Sequence, residues 1–476
     1  MKSLKFLFMF LFVFATSAAY CEMLTLNEYL DMVIKNNSEL RSVQLNIDAL
    51  NCKLAEVEKI YSCSLSAGVD YLDDKSARPY NPSVRIDDMS KLSYDAGISK
   101  QFATGTQVSL GLNGSLGQYK YAPSPAAKDY NLSDVAPFVK LQQSLWKDIN
   151  GGSTKAGIAK AKASAKSALY LLEYKKQNIL LNVKLAYWNL SYAKTVIDFR
   201  KMSLTRTEKI SDWTTRRYNM DLAEKSDLLQ SQAAVKLGEL NLKLAYEDEN
   251  KANRVFNQYL NIKDDKIKYD LENFKDKGNN FKGDKMLSKK GIRADVLSTL
   301  EDAQSSLHDQ IAHDKSSGAD LVLSGQFALN GVEQALSEAV RHITNGDKPS
   351  YLVGLKYTLP LDFKLRKTVS QGYEAAKNSA QKSAEYAAIQ ENNDWFQLVD
   401  NWNNAKLRLD LVIEIEKAQQ QRQEEDKNLL RKGRTTTNLV LQSEQALDDA
   451  TLNVLKSILE LIQIYEKAGT FYGCQL

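Results

Sequence analysis

The chain has 476 residues, with 63 Lys+Arg against 59 Asp+Glu, 43% hydrophobic and 26% charged residues, and a mean hydropathy below zero. These values exclude a disordered charged tail and a polytopic helical membrane protein. The formal charge of +4 includes Lys2 and Lys5 of a cleavable leader, so the mature chain carries 4 − 2 = +2 and no nucleic-acid partner is expected.

Residues 1–21 read as a secretory signal peptide: two lysines, the apolar run Phe6 to Ala15, then small residues up to Cys21. The run is too short to span a bilayer, and bulky Tyr20 makes a poor lipoprotein box. Cys52, Cys63 and Cys474 remain, an odd number from which no disulfide framework follows.

An amphipathic helix starts at Leu24-Thr25-Leu26-Asn27-Glu28, and Ser38 is expected to cap a second one. From Ser64 the period becomes two, with Leu65, Ala67, Val69 and Tyr71 on one face. Alternation recurs over Leu92 to Phe102 and Thr106 to Leu116, joined by a hairpin at Ala103-Thr104-Gly105, and less regularly over Val135 to Leu145. Strands with one apolar face and one face of Ser, Gln, Asn and Gly suit a barrel wall between lipid and water; they suit a half-buried soluble sheet equally well.

Only seven prolines occur, none between residues 138 and 348 and none after 360, and no glycine lies in 158–237 or 373–432. Long helices are expected there. Gly151 to about Asn219 would be on the order of 100 Å long if continuous. A turn at Tyr218 to Leu222 sends the chain back to about Asn261.

After a polar linker at 263–290, residues 291–476 replay residues 22–262: a helix from Arg293, strands at Asp320 to Leu329 and Tyr351 to Leu361, and a long helix from Leu365 to Lys432. Leu229-Gln230-Ser231 and Leu441-Gln442-Ser443 fix the offset at 212, which sets Asp221 on Gly433. The count is four strands in the first half and two in the second. Such a unit cannot bury its strand edges and helix seams alone, so several copies are expected to close one barrel.

The chain resembles the TolC-like outer-membrane efflux protein family over nearly its whole mature length. The resemblance rests on Leu24-Thr25-Leu26-Asn27-Glu28, Asn36-Asn37-Ser38-Glu39-Leu40, Arg293-Ala294-Asp295, Leu359-Pro360-Leu361, and Arg431-Lys432-Gly433 through Leu439-Val440-Leu441. It implies a mostly α protomer with membrane β: long antiparallel helices form a periplasmic α-barrel, and the strands join a shared trimeric outer-membrane β-barrel. It also implies a homotrimer in outer-membrane lipid, a periplasmic adaptor (membrane fusion) protein and an inner-membrane pump as partners, and passive conduction in efflux or type I secretion, without catalysis or cofactor.

The resemblance further places the periplasmic gate and adaptor-docking turns at Asp221, Leu222, Asp227 and Gln230, and at Gly433, Arg434, Leu439 and Gln442. Paired aspartates of some members fall here on Leu439 and Gln442, so an apolar constriction at Leu439 replaces an acidic ring. Asp227 matches an acidic position of the family, and Arg434 lies one residue from the arginine expected in the second repeat, so an Asp227 to Arg434 gate link is a hypothesis that departs from the family pattern. Leu222 and Leu430 fit either adaptor contact or helix packing. The family has two strands per repeat, whereas this chain shows four in its first half. A periplasmic coiled-coil adaptor or tether is the competing reading.

Several sharper readings yield to plainer ones. His308 and His313 sit about 140° apart on a helix and read as surface residues. Trp188, Trp395 and Trp402 read as helix core, and Trp146 as an interfacial anchor. No nucleotide loop, C-x-x-C pair or nucleophile elbow occurs.

Overall fold

The computed structural model describes residues 23–471, except 77, 82–83, 123–127, 264–268, 276–287 and 347. The leader, Cys474 and most of the 263–290 linker lie outside the described residues. The described chain falls into two compact units, each drawn from both halves of the sequence.

One unit comprises residues 46–172 and 294–390. Its centre is an antiparallel sheet whose long strands are β1 (Ser64–Asp74), β3 (Val84–Gln101), β4 (Thr106–Tyr121), β5 (Tyr130–Ser144), β6 (Asp320–Leu329) and β8 (Pro349–Thr358), side by side in that order. The expected count of four and two holds for these long strands. Two short strands that periodicity missed, β2 (Arg78–Asn81) and β7 (Gly331–Glu333), pair with β3 and β5.

The register aligns one apolar row across all six: Leu65 opposite Ile98, then Leu110, Val139, Phe327 and Tyr351. The next positions give Ser64, Ser99, Ser109, Lys140 and Gln326 on the opposite face, with Leu352 of the edge strand β8 completing the row. The edge strands β1 and β8 expose both faces, but on the inner strand β4 the apolar face is the barer one: Leu110 is 52% and Leu112 36% exposed, whereas Ser115 on the opposite face is buried. On the other face the Phe138 ring covers Gly111, leaving no room for a Cβ there.

The β3–β4 hairpin turns as expected, with Gly105 at φ +78 and Phe102 N–H donating to Thr106 O at 2.8 Å. Trp146 stands exposed at the end of β5, edge-on to Tyr357 at 5.7 Å. Asp148 then ends the strand run and starts helix α3 (Gly152–Asn219): its Oδ1 accepts from the backbone N–H of Ser153 (2.8 Å) and Thr154 (3.0 Å). A carboxylate there also matches the positive end of the helix dipole.

The strand expected over Tyr351 to Leu361 stops at Thr358, because Pro360 has no N–H for the ladder and Asp362 opens the next helix by accepting from Leu365 N–H at 3.0 Å. An amphipathic helix at Leu336–Asn345 lies between β7 and β8; its ten residues are too few for periodicity to separate from a loop.

The other unit comprises residues up to 45, 173–293 and from 391 on. It holds helix α1 (Leu26–Asn36), the start of α2 (Ser38–Glu56), most of α3, and α4 (Lys225–Tyr259). It also holds the later part of the 69-residue helix Phe363–Arg431, and Thr437–Ala468. In chain order α5 is Ala294–Ser316, α6 Leu336–Asn345, α7 Phe363–Arg431 and α8 Thr437–Ala468.

Thr25 caps α1 through a reciprocal box with Glu28. The cap of α2 is Asn37 rather than Ser38: its Oδ1 accepts from Leu40 N–H at 2.9 Å while its amide donates to Tyr259 O at 2.8 Å. Tyr29, fully buried, stacks on Phe256 at 4.0 Å and donates to Phe256 O. Burial raises the Tyr29 phenol far above its usual range.

Trp188 and Trp402 are core, whereas Trp395 is half-buried against Phe471. Part of the linker is anchored: Leu24 bridges Leu271 in parallel, and Phe274 is buried against Tyr192. In the other unit, His313 stacks on Tyr373 at 4.2 Å, and Cys52 and Cys63 are free, exposed thiols.

Candidate functional site: the two helix turns and the charge cluster above them

Both long hairpins end in the same backbone device. At the end of α3, Leu222 N–H donates to Arg217 O (2.8 Å) and Asp221 N–H to Tyr218 O (3.0 Å), with Asp221 at φ +57. At the end of α7, Arg434 N–H donates to Leu429 O (2.9 Å) and Gly433 N–H to Leu430 O (3.0 Å), with Gly433 at φ +70. Both are Schellman ends, and every atom pair is related by 212 residues. The left-handed position suits Gly433 at no cost and is uncommon for an aspartate.

The offset continues into the return helices. Ser231 and Ser443 are both fully buried and donate to Leu228 O (2.9 Å) and Val440 O (3.0 Å). Small hydroxyl residues at these points let neighbouring helices approach closely. The starts differ, since Thr436 accepts from Leu439 N–H (3.4 Å) whereas Glu224 makes no side-chain cap.

The named residues divide by exposure. Asp221, Leu222, Gln230, Gly433, Arg434, Leu439 and Gln442 are exposed, and Asp227 is half-buried. Gln230 reaches α8, donating to Asn438 Oδ1 at 2.7 Å, and with Gln442 lines a polar cleft of about 520 Å³ between α3, α4 and α8. Leu430 is packing: with Ile210 and Val440 it forms a buried apolar plug flanked by Trp213 and Leu441. Asp227 and Arg434 form no ion pair within the described residues of one chain.

Sequence reasoning missed the feature above the plug. Glu444 and Asp448 of α8, 2% and 8% exposed, both bind Arg206 of α3, Asp448 Oδ1 at 2.7 Å. Lys427 of α7 contacts Glu444 at 3.1 Å, Gln423 donates to Glu444, and Ser203 to Asp448. Burial works to raise the Glu444 carboxyl, but hydrogen bonds from Arg206 and Gln423 with the Lys427 charge hold it below its usual value. At Asp448 burial prevails over Ser203 and Arg206, and the neighbouring Glu444 charge adds to it, so that carboxyl is raised. Two cations and two carboxylates thus tie three helices together. The one available signal was a Glu and an Asp four apart on a helix seam that is mostly apolar.

No protein-family model and no curated protein matches the chain by sequence. Solved structures do match. The chain has the TolC-like fold of outer-membrane channels, long helices joined to an antiparallel barrel-type sheet. OprN, an outer-membrane channel, superposes with a TM-score of 0.66 at 13% identity over 94% of this chain and 89% of that one. VceC, an outer-membrane protein of Vibrio cholerae, gives 0.63 at 14% identity, covering 94% and 96%. The open state of the MtrE outer-membrane channel of Neisseria gonorrhoeae gives 0.64 at 12% identity, covering 94% and 89%.

Proposed function

We propose that the chain is the outer-membrane conduit of a tripartite efflux or type I secretion machine, built as a homotrimer of internally duplicated protomers and passing substrates delivered by an inner-membrane pump through a periplasmic adaptor. The observation that carries this reading is the six-strand sheet with one predominantly apolar, exposed face, which Lys100 and Gln143 interrupt toward one end. Apolar surface of that extent is unfavourable in water and favourable in lipid. Strands of 10 to 18 residues suit the height of a membrane wall.

The sheet has free edges at β1 and β8, and open edges are not tolerated in lipid. Three copies of six long strands close a barrel of about eighteen, wide enough for a water-filled lumen. Exposed apolar stripes on α4 (Leu229, Leu237, Leu240, Leu244) and α7 (Leu407, Leu411, Ile415) supply seams for neighbouring copies. A periplasmic tether would use the helices but gives the apolar sheet face no role.

In this reading the turns at 217–230 and 429–442 form the periplasmic entrance, and conduction needs no catalytic step. The test is accumulation of a fluorescent efflux dye in a deletion strain with redundant channels also removed. Accumulation reversed by the gene supports small-molecule efflux. Recovery of the protein in the periplasmic wash instead of the membrane fraction contradicts the conduit.

A further inference from the structure

The two turns share a backbone but not a surface. Within 216–227 the cations Arg216, Arg217 and Lys225 are matched by Asp221, Glu224 and Asp227. The window 212 residues later, 428–439, has three cations, Arg431, Lys432 and Arg434, and no acidic residue: Gly433, Thr436 and Leu439 stand where the acids stood. All three cations are exposed. None has an ion pair or side-chain hydrogen bond among the described residues. Of the flanking acidic residues, Asp426 pairs with Arg422 at 3.6 Å and Glu444 with Arg206 and Lys427, while Glu424 and Glu425 are exposed more than a helical turn before Arg431.

The plain account is that cations complement the negative end of a helix. It covers Arg431, in the last turn of α7. It does not cover Lys432 and Arg434, which lie past that turn and flank Gly433 in a backbone fixed by two hydrogen bonds. At the first turn the nearest equivalent cation is used internally, since Arg217 stacks on Trp213 at 4.7 Å and donates to Leu222 O at 2.9 Å. Apolar contact is available there instead, from Met220 (67% exposed) and Leu222 (60%).

We infer that the second turn is a docking point for a carboxylate-bearing segment of a periplasmic protein partner, held by Lys432 and Arg434 with Arg431 in support, while the first turn offers the same partner an apolar contact. This rests on the conduit reading, in which the turns meet an adaptor. A protein is favoured over an anionic membrane surface on two grounds: three cations alone hold such a surface only weakly, and no large apolar side chain stands exposed from Arg431 to Thr437 for insertion.

The experiment uses the purified full-length protein in detergent. The probes are a synthetic helical hairpin with three glutamates at its turn, a twin with three lysines, and phosphatidylglycerol–phosphatidylcholine vesicles. The glutamate hairpin is expected to bind wild type with an affinity that falls as salt rises, at least tenfold more weakly to Lys432→Glu/Arg434→Glu, and within twofold of wild type to Lys236→Glu/Lys382→Glu. Thermal unfolding confirms that each variant is folded.

Equal binding to wild type and the turn variant, or equal binding of both hairpins, overturns the inference. Vesicle binding that falls at least tenfold in Lys432→Glu/Arg434→Glu, with hairpin binding unchanged, reassigns the patch to lipid and overturns it too. In cells, dye efflux restored by wild type and equally by the turn variant also counts against it. If wild type itself restores no efflux, the conduit reading suffers, and the hairpin measurement still decides the docking chemistry.

Discussion

The sheet and the helix ends place their side chains in opposite ways. In the sheet, apolar residues face outward and the opposite face is rich in Ser, Gln and Gly. At the helix ends the apolar plug of Ile210, Leu430 and Val440 faces inward, and beyond it four ionic groups are drawn into the bundle. The difference is the one the conduit reading requires of two surroundings acting on one chain: a sheet of this kind gains by meeting lipid, whereas a bundle in water pairs the charges it buries.

The largest effect is expected at the cluster. Glu444→Gln leaves Arg206 with Asp448 alone and Lys427 without its carboxylate, and costs about 3–5 kcal/mol, read as a fall in unfolding midpoint. Asp448→Asn removes the carboxylate that burial already disfavours and costs far less; equal losses would break the asymmetry between the two acids. The pH dependence has a matching sign. Glu444, lowered on folding, contributes stability that is present above its ordinary value and lost as pH falls through its folded value. Asp448, raised on folding, opposes stability as pH rises through its folded value, so acidification relieves that cost before Glu444 is neutralised.

A smaller effect is expected in the sheet. Val353→Arg, on the apolar face, costs about 2–4 kcal/mol if it sits near the bilayer midplane. Ser109→Arg, on the opposite face, leaves folding into vesicles nearly unchanged. Equal tolerance at the two sites, read by heat-modifiable mobility, would remove the contrast between the faces.

The smallest effects lie in the turns. Asp221→Gly relieves a left-handed aspartate and stabilises by up to about 1 kcal/mol, while Gly433→Ala introduces the same strain and destabilises by about 1 kcal/mol. Unfolding midpoints that move in the same direction would show that the two turns are not the same device.

The elements legible in sequence are those whose signal is periodic. The six long strands, both long helices and the 212-residue offset could be read because alternation, proline-free stretches and a repeated Leu-Gln-Ser are local properties. The turn positions were legible for the same reason, since Gly433 and Asp221 fall where the helix period stops. The charge cluster was not legible, because Arg206, Lys427 and Glu444 come from three helices and meet only through packing. Asn37 in place of Ser38 as cap and the anchoring of Phe274 escape the sequence for a similar reason, since each is decided by a neighbour distant in sequence, whereas the helix at Leu336–Asn345 is too short for its periodicity to be read.

The most direct test of the central claim is cysteine scanning along β4, from Val108 to Asn113, in the assembled protein after removal of Cys52, Cys63 and Cys474. A membrane wall predicts that probes at Val108, Leu110 and Leu112 are quenched by a lipid-borne quencher, while Ser109 and Asn113 react with a water-soluble thiol reagent. Reaction of both sets with the water-soluble reagent, with no lipid quenching, would contradict a lipid-facing barrel and return the chain to the class of soluble periplasmic tethers.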